Sequence, residues 1–358
     1  MFLCVLSMAS AAFMFDFGPH DPLYASSYND TFTFNTGVHY IHQLSSSPEG
    51  NNVMVKWNGD ENWGVPASDP DKYQVIEYRD WSSKYNNFLH LQIGTGFSFL
   101  RLGWPEYFVG DLMFQAAFNS VFSAAGGTDV LGFDGTFFFG GEARIMDMFV
   151  VKFGLRHYSG HTGDEILQDA VNRNVTDTTG KFEVVDYVRD NMLELGIGYA
   201  GIPYAQVFFS FLFPPKKSWW APYFHMPDWV LADTNPPQST EERDRDQWAV
   251  RGAYGNGYGA YILQLDVNLA YPFAKRYEVY SSLNMKFHQD GMTNHTLTPH
   301  DDTDRWEMEL TASVGFTFKN AAANKDLSIE FLYHDGRFPV LNFFWKRSQY
   351  IAVGIAIR

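Results

Sequence analysis

The sequence predicts an all-β chain closed into an antiparallel transmembrane barrel of about twelve strands, with both termini on the periplasmic side. Three observations carry that expectation. Side chains alternate in polarity every second residue over long segments. Aromatic residues are abundant, yet no apolar run past the N-terminus is long enough for a membrane helix. The connections between the alternating segments are themselves alternately short and long.

The alternation is plainest from Arg305 to Lys319, where Trp306, Met308, Leu310, Ala312, Val314, Phe316 and Phe318 interleave with Glu307, Glu309, Thr311, Ser313 and Thr317. A strand points successive side chains to opposite faces, so one face is lipid-like and the other aqueous. The pattern returns from Arg276 to Gln289, and again where Leu263, Leu265, Val267 and Leu269 oppose Gln264, Asp266 and Asn268. None of these segments repeats at the 3.6 residues of an amphipathic helix.

A mean hydropathy of -0.24 describes no helical membrane protein, and about 20 consecutive apolar residues would be needed for a helical span. The 18% aromatic content instead suits a sheet whose outer face meets lipid, with Tyr and Trp at the two interfaces. Twelve segments follow, at 31–43, 87–102, 106–123, 131–145, 148–161, 184–200, 204–214, 250–272, 275–289, 305–319, 324–335 and 348–358. Short turns such as Gly103-Trp104-Pro105 and Gly201-Ile202-Pro203 alternate with long connections at 44–86, 162–183, 215–249 and 290–304. Bacterial outer-membrane barrels have short periplasmic turns and longer extracellular loops. The expected location is therefore the outer membrane, and closure removes the sheet edges that a bilayer would not tolerate.

The segment from Phe2 to Phe13 resembles the apolar region of a secretory signal, with Ala9-Ser10-Ala11 as a cleavage site. Residues 1–12 are thus expected to lie outside the fold, and 13–358 to form one barrel domain. The net charge of -15 leaves no basic stripe for nucleic acid. A single cysteine, Cys4, excludes a disulfide framework.

Charges of both signs fall on the inward parity, among them Glu142, Lys152, Arg156, Glu194, Asp266, Arg276, Lys286, Arg305, Glu307, Glu309 and Glu330. Such a mixture reads as a cross-linked, narrow or occluded lumen, because selectivity filters tend toward rings of one sign. No cofactor site is legible. The acidic clusters Glu241–Asp246 and Asp301–Asp304 on long connections could gather calcium or another divalent ion near lipopolysaccharide, although solvated loop charges are the simpler reading.

The densest chemistry lies in Arg156-His157-Tyr158-Ser159-Gly160-His161-Thr162-Gly163-Asp164-Glu165, at the end of the fifth segment. Phe149, Val151, Phe153 and Leu155 are the lipid-facing set, and their parity continues into His157, Ser159 and His161. A hydroxyl nucleophile needs an adjacent base, and the base needs an orienting group. Ser159 and His157 would supply the first two. Asp164, Glu165 or Asn191 would supply the third, Asn191 sharing the lipid-facing parity of Leu193 and Leu195.

His157-Tyr158-Ser159 resembles the H-x-S signature of outer-membrane acyl hydrolases, outer-membrane phospholipase A and lipid A deacylase. That resemblance implies a barrel whose His and Ser face lipid at the outer leaflet. Their motif continues with Asn, where this chain has Gly160. A wider pattern joins His157-x-Ser159-x-His161-x-Gly163-Asp164-Glu165 to Asp335-Gly336-Arg337-Phe338-Pro339 and the final segment. It resembles an uncharacterised bacterial family of outer-membrane barrels, a domain of unknown function, and implies no activity.

Two other readings of the cluster stand beside the hydrolase. The three side chains can be interfacial polar residues that pin the base of a loop. A metal site on His157 and His161 would need a kink at Gly160, since i and i+4 on a strand are roughly 13 Å apart. Three functions therefore compete: an occluded barrel with a structural or partner-binding role, an outer-leaflet acyl hydrolase, and a porin-like conduit. The expected partners are outer-membrane lipid and lipopolysaccharide, with further proteins or a homo-oligomer open.

Overall fold

The computed structural model describes residues 12–24, 28–30, 34–47, 49, 51–57, 73–79, 86–124, 129–167, 182–184, 187–213, 261–289, 306–319, 326–343 and 346–357. The expected signal segment before Ala12, both acidic clusters and Arg305 fall outside them. Sixteen strands appear among the described residues: β1 (Met14–His20), β2 (Thr36–Ser47), β3 (Asn51–Trp57), β4 (Tyr73–Arg79), β5 (Asn87–Trp104), β6 (Phe108–Ser123), β7 (Val130–Ile145), β8 (Phe149–Thr162), β9 (Phe182–Val184), β10 (Tyr187–Ile202), β11 (Ala205–Phe213), β12 (Tyr261–Ala274), β13 (Tyr277–Gln289), β14 (Glu307–Phe318), β15 (Leu327–Arg337) and β16 (Arg347–Ile357).

Thirteen of these form one sheet, and the pairing of β5 with β6 closes it. With β1 set aside, twelve strands make the ring, all antiparallel to their neighbours. Following the register once round from Trp104 through Phe108, Ile145, Phe149, Tyr199, Val207, Val267, Leu283, Ala312, Tyr333, Ile351 and His42 returns to β5 at Asn87. The offset from residue 104 to residue 87, less one residue for the bulge between Ser98 and Leu100, tilts the strands by about 45°. That is the tilt of a transmembrane barrel.

The seam departs from twelve simple strands. β2 covers only the upper part of β5, from Gln92 to Asn87. Below it β1 pairs with the lower part, Gly103 to Ser98. The first segment, expected at 31–43, is therefore displaced to Thr36–Ser47, and β1 is an addition. A separate small sheet, β4-β3-β9, joins two of the long connections.

The two faces divide as the alternation requires. Val279, Val314, Phe318, Phe331, Val353 and Ile355 are exposed on the outer face, while Asn284, Glu309, Thr311 and Ser328 are buried within. The short turns are tight: Met146, Asp147 and Tyr204 adopt positive φ, and so does Gly103 at +139°. A Cβ on Gly103 would lie 2.1 Å from the Phe108 carbonyl oxygen, which fixes glycine there.

The lumen is packed. Between β1 and β2 the chain turns inward, and its contacts cross the barrel. Leu23 donates its amide to Glu142, and Asn29 donates to the carbonyls of Ser282 and Thr311. Tyr24 stacks on Phe208, and Phe34 packs against Met113 and Phe138. Lys286 Nζ sits 2.6 Å from Asp30 and 3.1 Å from Glu309. Arg156 lies 2.5 Å from Glu194, and Arg337 2.8 Å from Glu307. At the long-connection end the residues after β15 fold over the mouth. Phe338, Val340, Leu341 and Phe343 are buried, Leu341 donates its amide to Asp134, and Asn119 donates to the Pro339 carbonyl. Arg276, expected among the lumen charges, is instead exposed in the β12–β13 turn.

Candidate functional site

The site lies on the outer wall, where β7, β8 and β10 run side by side. On β8 the inward side chains are locked: Arg156 by Glu194 and the Phe34 ring, Lys152 by Gln115 and Glu194. That anchorage fixes the opposite parity outward, so His157, Ser159 and His161 continue the face of Phe149 and Phe153 and are half-buried among wall side chains. Ser159 stands ten residues above Phe149, about 23 Å along the barrel axis at this tilt.

Cross-strand register brings the partners. His157 faces Phe137 on β7 and Asn191 on β10, Ser159 faces Gly135, and His161 faces Phe133. The His157 ring stacks on Phe137 with centroids 4.7 Å apart and planes at 22°. Its Nδ1 lies 2.8 Å from Asn191 Oδ1. Oδ1 can only accept, so this contact requires the proton on Nδ1. Asn191 is itself buried, at 8% exposure. An amide there orients the imidazole without a net charge, which a carboxylate facing lipid could not do cheaply.

The Ser159 hydroxyl shares the outward face with the ring, two residues on, and donates to the Gly135 carbonyl at 3.4 Å. His161 stacks on Phe133, centroids 4.9 Å apart and planes at 19°. Asp164 and Glu165 stand exposed in a helical turn that begins just after β8. Of the three expected orienters, then, Asn191 is the one in contact with His157. His157 and His161 occupy separate rungs, each on its own phenylalanine, and among the described residues no group of three His, Cys, Asp or Glu converges to hold a metal.

Gly135, Phe133 and Phe137 are neighbours of the site that the sequence alone does not single out. Their signal is the alternation Phe133, Gly135, Phe137, Phe139 on the outward parity of β7, which becomes informative only when β7 is known to flank β8.

A closed antiparallel barrel with an apolar outer girdle and a polar, filled interior is an outer-membrane β-barrel. No protein-family model and no curated protein sequence matches the chain. Among solved structures it is similar to outer-membrane phospholipase A from Escherichia coli, at 10% identity and a TM-score of 0.44, over 96% of this chain and 94% of that one. It is also similar to the Salmonella typhi outer-membrane phospholipase dimer with bound calcium, at 11% identity and a TM-score of 0.42, over 95% and 94%. The NanC porin matches at 7% identity and a TM-score of 0.36, over 90% and 99%.

Proposed function

We propose that this barrel is a lipid acyl hydrolase working from its outer wall, with Ser159 as nucleophile, His157 as general base and Asn191 as the group that orients the base. The observation that carries this reading is the 2.8 Å contact between His157 Nδ1 and Asn191 Oδ1, which holds the imidazole on the face that also bears the serine; in a neutral ring so held, Nε2 is the basic nitrogen. By the rule that long connections are extracellular, both described ends of the chain are periplasmic and Ser159 lies at the outer-leaflet boundary of a hydrocarbon band about 25 Å tall.

In the proposed reaction the Ser159 hydroxyl turns from the Gly135 carbonyl toward Nε2 of His157. As Oγ bonds to the acyl carbonyl carbon, its proton passes to Nε2. Collapse of the tetrahedral species breaks the ester bond, and the imidazolium returns the proton to the departing alkoxide oxygen. Water then attacks the acyl-serine, giving its proton to His157; the acyl–Oγ bond breaks, the imidazolium returns the proton to Oγ, and a fatty acid leaves. Asn191 holds the ring's tautomer and stabilises the imidazolium by accepting from Nδ1–H.

The test is fatty-acid release from phospholipid in mixed micelles, with and without calcium. Ser159→Ala and His157→Ala should each remove activity by about 10⁴-fold or more while the folded barrel keeps its heat-modifiable mobility on gels. Hydrolysis by the wild type that both variants retain would refute the assignment. The filled lumen supports the structural reading over the porin one, and an inactive wild type would leave a barrel whose His157–Asn191 contact braces β8 against β10.

A further inference from the structure

The wall beside Ser159 carries a notch. On the outward face of β7 the residues alternate Phe133, Gly135, Phe137, and the register sets Gly135 opposite Ser159 on one side and Phe118 on the other. The two flanking rungs are tall and braced. Phe133 stacks on His161 and on Phe118, while Phe137 stacks on His157 and on Phe114. Between them the Gly135 rung has no side chain. Among the described residues, a Cβ built there would meet only the Ser159 hydroxyl, at 3.2 Å. Phe133 and Phe137 are about 13 Å apart at Cα, with the glycine rung between the two aromatic ones.

Resting on the hydrolase reading above, we propose that this notch is the acyl-chain subsite. One acyl chain of a membrane glycerolipid lies across β7 between the Phe133–His161 and Phe137–His157 pairs, with its ester carbonyl over Ser159. The occupant follows from place and chemistry. The notch opens on the lipid-facing wall, its sides are aromatic, and its one polar end is the hydroxyl to which an acyl group would be transferred. Gly135 is then the specificity-determining residue. It admits the chain that a side chain would displace, and it keeps clear the space through which the carbonyl approaches Oγ.

The experiment compares two sulfonyl fluorides on purified, folded barrel, one with a hexadecyl chain and one with a methyl group. Labelling is located by mass spectrometry. The wild type should be labelled at Ser159 faster by the long reagent. Gly135→Val should lower the long-to-short rate ratio at least tenfold, and Gly135→Ala should lower it less. Phe137→Leu, which opens one side of the notch and leaves β7 otherwise intact, should also lower the ratio, so the test survives if the Gly135→Val barrel fails to fold. An unchanged ratio in these variants would overturn the subsite. So would an equal fall for both reagents, since that marks Gly135 as a support for the serine alone. A wild type labelled by neither reagent would sink the nucleophile assignment itself, and the subsite with it; a labelled wild type with an unmoved ratio sinks only the subsite.

Discussion

Replacing Lys286 by Met should destabilise the barrel by about 3–5 kcal/mol. The ammonium sits 2.6 Å from Asp30 and 3.1 Å from Glu309, with all three side chains under one tenth exposed. At an effective dielectric of about 20, those separations give raw attractions of about 6 and about 5 kcal/mol. The cost of desolvating three ions is several kcal/mol each, so the intact cluster is close to neutral in net stability. Removing the lysine alone deletes the attraction and leaves two carboxylates buried near one another. The triple replacement Lys286→Met, Asp30→Asn, Glu309→Gln removes the charges together and should recover most of the loss. The assay is urea unfolding of barrels folded in lipid vesicles, read by tryptophan fluorescence and gel mobility. A single substitution costing less than about 1 kcal/mol, or a triple one costing more than the single, would refute the account of a packed, charge-matched lumen.

Three other outcomes follow from the same structure. Burial of Lys346, in the segment folded over the barrel mouth, lowers its pKa to about 8 from an ordinary 10.5. The unfolded chain therefore binds the proton more tightly, and unfolding free energy should rise between about pH 8 and 10.5, by up to about 3 kcal/mol; Lys346→Met should flatten that rise in pH-dependent unfolding, and an unaltered profile would contradict it. With the inward turn at Tyr24 and Asn29 and the residues around Val340 filling the interior, planar-bilayer conductance should be low, and a large steady ohmic conductance would contradict that packing. Single cysteines at Asp177, Thr240 and Asn294, in long connections outside the described residues, should react with an impermeant thiol reagent on intact cells; failure of all three, with reaction at Ala322 instead, would invert the barrel.

The ring of strands was legible because its determinant is local. Alternation within a segment gave 131–145 and 148–161 where β7 and β8 run Val130–Ile145 and Phe149–Thr162. What escaped depends on residues far apart. Phe13, Phe15 and Phe17 do alternate, but β1 forms by pairing with the distant Ser98–Gly103 end of β5, and the segment beside it resembles a signal junction. Residues after His20 fill the lumen through Glu142, Ser282 and Thr311, contacts more than a hundred residues away that no local pattern encodes. At the site, parity alone put His157 and Ser159 on the outer face. Choosing Asn191 over the adjacent Asp164 and Glu165 needed the register of β8 on β10, because the helical turn carries the nearer carboxylates off the strand.

The most direct test of the catalytic assignment is the rate at which a long-chain sulfonyl fluoride modifies Ser159 in the wild type, in His157→Ala, and in Asn191→Ala. If Nε2 of His157 is the base and Asn191 sets its tautomer, the wild type is labelled at Ser159 alone. His157→Ala then slows labelling by about 10²–10⁴-fold, Asn191→Ala slows it by less, and Asn191→Asp recovers part of that loss. Labelling of Ser159 at the same rate in all four proteins would contradict the account, because the serine would then react without the proposed base.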